Sequence, residues 1–252
     1  MSADLPQAVF PKSLVLVGAG KMGGAMLEGW IASGLKGDAV TVIDPLPAPQ
    51  LTTFCKANGV HLNPATPPAM PQVLVLGIKP QMLDAAAPVL APLAGAETLV
   101  VSILAGKTIA NLKARLPQAR ALVRSMPNLP ASVGRGISGA VASLEVSAEQ
   151  KSIADTLLKG VGRVEWVDRE ELIDAVTGVS GSGPAYVFHL VECLAKAGEA
   201  EGLPADLALR LARATASSSA VLSTAAQPSR PVLEGHVFMD SNSGSRFRPS
   251  TL

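Results

Sequence analysis

Short runs that are apolar at nearly every position, separated by stretches of helical periodicity, constrain this chain most. Leu14–Val17 and Val73–Leu76 contain no polar residue, and Val40–Ile43 and Leu99–Ile103 contain one each. A strand with one face in water alternates apolar and polar side chains. A strand apolar throughout is covered on both faces, as in a parallel sheet flanked by helices. The intervening patterns fit such a sheet: a helix to about Ser33, another to about Leu90, and a third over about Thr108–Leu116. Ala121–Arg124, Ile137–Val141 and Val164–Val167 read as further strands, with a helix between Ser147 and Leu158. The expected class for this part is α/β.

From Arg169 onward the strand patterns end and three helical ones follow, Glu170–Val179, Pro184–Glu201 and Pro204–Ala225. A boundary near Trp166–Asp168 is therefore expected, dividing an α/β domain over residues 1–167 from an all-helical one over 168–252. Residues from about Gln227 fit a helical domain poorly. They have no helical period, three prolines and the polar run Ser241-Asn242-Ser243-Gly244-Ser245.

Composition excludes several classes. The chain has 252 residues, 48% hydrophobic and 16% charged with a net charge of +1, which argues against disorder and against a nucleic-acid-binding tail. Aromatic residues at 3% are too few for a base-stacking platform. Cys55 and Cys193 stand far apart, so neither a disulfide framework nor a structural metal site is expected, and both read as packing residues. The first eleven residues lack the basic and apolar regions of a secretory signal, and no apolar run is long enough to span a bilayer. A cytoplasmic protein without membrane or nucleic-acid partners is the expectation.

Gly18-Ala19-Gly20-Lys21-Met22-Gly23 lies between an expected strand and an expected helix, the context a dinucleotide fingerprint requires. Gly18 permits the tight turn, Gly20 the approach of a pyrophosphate, and Gly23 close helix–strand packing. This makes the α/β part a Rossmann-type dinucleotide-binding domain, with NADPH or NADH as the expected cofactor. Asp44 ends the second strand, where a carboxylate either binds the adenosine ribose 2′-OH, favouring NADH, or merely starts the turn before Pro45. Gly77-Ile78-Lys79-Pro80 and Ile103-Leu104-Ala105 follow two further strands, so they are expected to line the same cleft, as is Asn128 of Met126-Pro127-Asn128.

Thr177-Gly178-Val179-Ser180-Gly181-Ser182-Gly183-Pro184 reads as a second anion seat. Its glycines let a ligand approach the backbone, and Pro184 suits the first turn of a helix whose amides, with Ser180 and Ser182, would hold a carboxylate. No Ser-His-Asp, Cys-His or metal-ligand arrangement accompanies it. His61 is expected in a loop, His189 on a helix face and His236 in the atypical tail.

These motifs occur in an order that resembles the pyrroline-5-carboxylate reductase family. They are Gly18–Gly23, Lys79-Pro80, Met126-Pro127-Asn128, and Asp174-Ala175-Val176-Thr177-Gly178 running into Ser180–Tyr186. The similarity extends from about Leu14 to about Ala226. It implies reduction of the cyclic imine 1-pyrroline-5-carboxylate to L-proline, the last step of proline biosynthesis, with NADPH or NADH. It also implies Asn128, Ser180, Gly181, Ser182 and Gly183 at the substrate, Thr177 as a positioning residue and candidate proton donor, and a homodimer or higher homo-oligomer.

The chain departs from the family pattern at three places. Lys21 stands where Asn is common, Leu129 replaces a Thr after Asn128, and no Ser-Pro-Gly-Gly-Thr-Thr-like loop or later helix is recognisable in Arg230–Leu252. That loop helps bind the substrate acid in the family. Its absence makes a dinucleotide-binding protein with lost or impaired catalysis the alternative to the reductase. A β-hydroxyacid dehydrogenase-type reductase shares the two-part layout, but it would carry a lysine in Glu170–Val179, which has none.

Overall fold

The structure is a computed structural model describing residues 9–66 and 68–225. Its elements are β1 (Leu14–Val17), α1 (Lys21–Ala32), β2 (Val40–Ile43), α2 (Pro49–Asn58), β3 (His61–Leu62), β4 (Val73–Leu76), α3 (Leu83–Leu90), β5 (Leu99–Ser102), α4 (Ile109–Arg115), β6 (Leu122–Met126), β7 (Gly136–Ala142), α5 (Ala148–Lys159), β8 (Gly162–Trp166), α6 (Leu172–Val176), α7 (Gly183–Ala200) and α8 (Ala205–Ala225). The strands form one sheet in the order β3-β2-β1-β4-β5-β6-β7-β8.

The all-apolar strands sit where their composition requires. In β1, Leu14 and Leu16 enter a core with Met26, Leu27 and Trp30 of α1, while Val15 and Val17 enter a second core with Leu83 and Leu90 of α3. Val73 and Val75 of β4 likewise face the first core, and Leu74 and Leu76 the second. Successive side chains of a strand point to opposite faces, so an uninterrupted apolar run is what a doubly covered sheet needs. Helices α4 and α5 begin with reciprocal capping boxes, Thr108 with Asn111 and Ser147 with Gln150, which fix where each crossover turns back.

Two features differ from the expected parallel sheet. β7 runs antiparallel to β6, pairing Met126 with Gly139 and Arg124 with Val141. Residues 127–135, nine in all, separate the two strands. A parallel crossover needs roughly a dozen residues or more, so this linker returns the chain antiparallel. His61, expected in a loop, instead forms with Leu62 the short edge strand β3 beside Thr41 and Val42. Neither residue belongs to an apolar run, which hides so short an edge.

The described residues fall into two compact units, parting between Tyr186 and Val187 within α7. The first contains the sheet together with α6 and the turn after it. Val176 of α6 lies over β7 at Gly139, where a Cβ would come within 2.6 Å of the valine. The second unit is the rest of α7 with α8, joined by a short turn with Gly202 at φ +92°. Gly198 lets the two helices approach, since a Cβ there would lie 3.2 Å from that of Ala208. Among the described residues no helix is long and apolar enough to cross a membrane.

Trp30 joins α1 to α5. The indole is fully buried and its Nε1 donates to the Leu157 carbonyl at 2.7 Å. Trp30→Phe keeps much of the apolar volume but removes the indole donor, leaving that carbonyl only the longer bond from the Gly160 amide at 3.3 Å, and opens a small void. The variant is expected to lose about 1–3 kcal/mol of stability. A lower urea midpoint, followed by circular dichroism, with an unchanged slope is the expected result.

Candidate functional site

The parallel strands β1, β2, β4, β5 and β6 end on the same edge of the sheet, and the sequence-predicted residues collect there. Gly18, at φ +86°, turns the chain out of β1, and its amide donates to the Ile43 carbonyl at 2.8 Å. A Cβ on Gly18 would meet the Ile78 nitrogen at 2.6 Å, and one on Gly23 would collide with the Gly18 carbonyl oxygen. The turn is thus pressed against the loop after β4 on one side and against α1 on the other.

Gly20 is different: a Cβ there would meet nothing within 4 Å. It is the N-cap of α1 and no side chain caps that helix end. Lys21 and Met22 begin the helix, with Lys21 exposed. A cleft of about 540 Å³ opens here, lined by Ala19, Gly20, Lys21, Met22 and, across it, Leu129 and Ser132. Bare backbone, an uncapped helix N-terminus and open space fit a pyrophosphate.

Asp44 does more than start a turn. Its Oδ2 accepts the Ala19 amide at 2.9 Å and its Oδ1 the Leu46 amide at 3.0 Å. Asn63 grips its backbone from both sides, accepting the Asp44 amide at 2.9 Å and donating to the Asp44 carbonyl at 2.7 Å. Asn63 adopts φ +46° to do so, a conformation asparagine tolerates better than most residues. The carboxylate is therefore held beside the glycine turn with lone pairs to spare.

The remaining loops are sorted by burial. Gly77 lies under the glycine turn, a Cβ there falling 2.6 Å from the Gly18 carbonyl oxygen, with Ile78 half-buried, Lys79 exposed and Pro80 opening a 3₁₀ turn. After β5, Ile103 is half-buried and Ala105 exposed, but Leu104 is a core side chain, 2% exposed. Only the backbone of Leu104 is available to a ligand, because its side chain fills the core beneath α4.

The run expected to start a helix is built otherwise. Thr177–Gly181 form a π-helical turn that continues α6, and Ser182 is still helical in φ and ψ. The Ser182 amide donates to the Thr177 carbonyl at 2.8 Å, so it is not a free anion donor. The seat inferred from an exposed helix start is to that extent corrected: α7 is reached through a turn rather than from a capped end. What the turn exposes is backbone, since a Cβ at Gly178 or Gly183 would meet nothing within 4 Å. π-helical turns of this kind recur at functional sites.

Three contacts hold the turn. Asn128 Nδ2 donates to Ser180 Oγ at 3.2 Å, while its Oδ1 accepts the Ile137 amide at 3.0 Å. Gly181 lies on Met126, where a Cβ would come within 2.9 Å of the methionine methyl. The Tyr186 hydroxyl donates to the Gly178 carbonyl at 3.2 Å. Thr177, half-buried, donates its hydroxyl to the Ile173 carbonyl at 2.8 Å and keeps its acceptor capacity.

Sequence reasoning missed Arg124, which is buried in β6 and ion-paired to Glu170 and Asp174 at 3.1 Å each. An arginine inside the otherwise apolar start of Leu122–Met126 was the available signal. The tail departures expected from Arg230 lie outside the described residues.

Comparison with known proteins agrees with this geometry. A family model described as pyrroline-5-carboxylate reductase dimerisation matches residues 170–236, and one described as NADP oxidoreductase coenzyme F420-dependent matches residues 13–106. A pyrroline-5-carboxylate reductase of Pseudomonas aeruginosa is 40% identical over 216 residues, covering 85% of this chain and 79% of that protein. One from Glycine max is 36% identical, covering 81% and 74%. Among solved structures, the enzyme of Coxiella burnetii superposes with a TM-score of 0.76 at 31% identity, covering 87% of this chain and 82% of that one. The Plasmodium falciparum enzyme, solved with NADP bound, gives 0.71 at 25% identity, covering 86% and 80%. With the two motif-bearing loops in place and relatives this similar over most of their length, the chain belongs to the pyrroline-5-carboxylate reductase family.

Proposed function

We propose that this chain reduces 1-pyrroline-5-carboxylate to L-proline with NADPH or NADH. The observation that carries the reading is the π-helical turn Thr177–Gly181, fastened by Asn128 and Met126 to the end of β6 on the sheet edge that bears the glycine turn. The dinucleotide, when bound, supplies the hydride, so the chain's own task is orientation and binding. Gly18–Gly23 hold the pyrophosphate on the start of α1, with the loops Gly77–Pro80 and Ile103–Ala105 beside the cofactor. Ser180, Gly181, Ser182 and Gly183, with Asn128 bracing Ser180, receive the substrate acid through hydroxyls and exposed backbone. In this reading Thr177, at the head of the turn, meets the ring nitrogen, where the reduction requires one proton; to donate that proton its hydroxyl must first give up its bond to the Ile173 carbonyl.

Residues from 168 onward act in this reading as the substrate-binding and dimerisation segment. The second unit supports a homodimer: Val187, Phe188, Leu190 and Leu194 of α7 are all more than 40% exposed, and only Ala195, Ala208 and Ala212 are buried among the residues whose burial is described there. Exposed apolar surface of that extent calls for a partner of the same kind. A cytoplasmic location is part of the same proposal.

The direct test is oxidation of reduced nicotinamide by the purified chain with pyrroline-5-carboxylate and formation of proline. Absence of turnover despite dinucleotide binding would favour the non-catalytic alternative. Thr177→Val, which keeps the shape and removes the hydroxyl, is expected to lower kcat about tenfold if the hydroxyl positions the imine and about a hundredfold if it donates the proton.

Asp44 is the proposed arbiter of cofactor choice. Its fixed carboxylate accepts a ribose 2′-OH and repels a 2′-phosphate, and no lysine or arginine occurs between it and Lys56. Asp44→Ser is expected to raise the NADPH-to-NADH ratio of kcat/KM about tenfold, some 1.4 kcal/mol. Steady-state kinetics with both cofactors decide it, and an unchanged ratio removes Asp44 from that role.

A further inference from the structure

Strand β6 presents alternate residues to the segment that carries the Thr177 turn. Arg124, Met126 and Asn128 share one side of the strand and its extension, and each engages that segment at a different point. Asn128 reaches Ser180 and Met126 lies under Gly181. Arg124 acts furthest from the turn but with the most specific chemistry. Its side chain is 5% exposed, Nη1 donates to Glu170 Oε1 and Nη2 to Asp174 Oδ1, both at 3.1 Å. Glu170 precedes α6 and Asp174 lies within it, so one planar guanidinium grips the helix at two places.

Glu170 has a second attachment. The same Oε1 accepts the Ile109 amide at 2.7 Å. Ile109 is the first residue of α4, immediately after the loop from Ile103 that follows β5. A carboxylate at that amide complements the positive end of the helix. Glu170 therefore ties three things to one oxygen: the buried arginine of β6, the helix leading into Thr177, and the element behind the cofactor loop.

We propose that the Arg124–Glu170 bridge sets the position of the Thr177 turn relative to the cofactor loop, making Arg124 and Glu170 positioning residues for imine reduction. The proposal rests on the reading of the Thr177–Gly183 run as the substrate wall. Neither residue touches substrate in it; both act through α6. The bridge is not needed to cover the core, because α6 already packs Ile173 at 1% exposure and sets Val176 on Gly139. Asp174, whose side chain is 80% exposed, is the weaker arm.

Three variants of the full chain test this. Glu170→Gln keeps an oxygen for the Ile109 amide and removes the charge that holds Arg124. Arg124→Lys keeps the charge and loses the fork that spans both carboxylates. Asp174→Asn weakens only the exposed arm. Glu170→Gln and Arg124→Lys are each expected to lower kcat for pyrroline-5-carboxylate about tenfold with the dissociation constant for NADH close to that of the parent, and to lower the melting temperature, because each breaks a buried ion pair. Their double variant should lose little more than either alone, because both break one bridge. Asp174→Asn should cost threefold or less.

Unchanged kcat in either of the first two variants overturns the proposal. So does a loss of kcat matched by an equal loss of NADH affinity, which marks a merely structural role. Should Arg124→Lys fail to fold, Glu170→Gln decides alone. A parent chain that binds NADH but never reduces the imine refutes the proposed function instead, whereas an active parent with equally active variants refutes only the bridge.

Discussion

The site depends on two stretches of backbone being able to touch. Gly18 and Gly77 close neighbouring parallel strands, and a side chain on either would drive into the other's turn: Gly18 onto the Ile78 nitrogen, Gly77 onto the Gly18 carbonyl oxygen. With both bare, the first turn folds flat on the sheet edge and α1 starts over it with its amides facing outward. Gly23 then lets the helix descend close to the same turn. Asp44 completes the arrangement by holding the Ala19 amide, so the loops after β1, β2 and β4 form one rigid edge. Fixed dipoles of this kind bind an anion without reorganising.

Much of this was legible in the residues. The strands were readable because burial on both faces demands unbroken apolar runs, and Leu14–Val17 and Val73–Leu76 have nothing else to offer. The glycine turn was readable because its spacing fell between a strand and a helix. The antiparallel entry of β7 was not, since direction is decided by the length of the linker at residues 127–135 and by where it lands, not by the composition of the strand. β3 escaped because two residues carry no period.

The second wall was readable in place but not in form. Glycines, hydroxyls and a proline look the same before a capped helix start and within a π-helical turn; only the hydrogen bond from the Ser182 amide to Thr177 distinguishes them. Arg124 was overlooked for a related reason. In a strand, one charge among apolar neighbours can mark an edge, a turn or a buried pair, and its partners lie 46 and 50 positions away. The charge itself is visible locally, but the identity of its partners is not.

The π-helical turn also has a geometric consequence. An α-helix advances each residue by about 100° around its axis, so one extra residue in a turn rotates everything after it by about that amount. The face that Leu172–Val176 offers the sheet is thus out of phase with the one begun by Gly183–Tyr186. A chain without the extra residue would run as one unbroken helix here and would satisfy its backbone just as well. It would also swing Ser180 away from Asn128 and Gly181 off Met126. The bulge therefore works as a phase shifter, setting Ser180 and Gly181 against the end of β6 within a path that stays helical throughout.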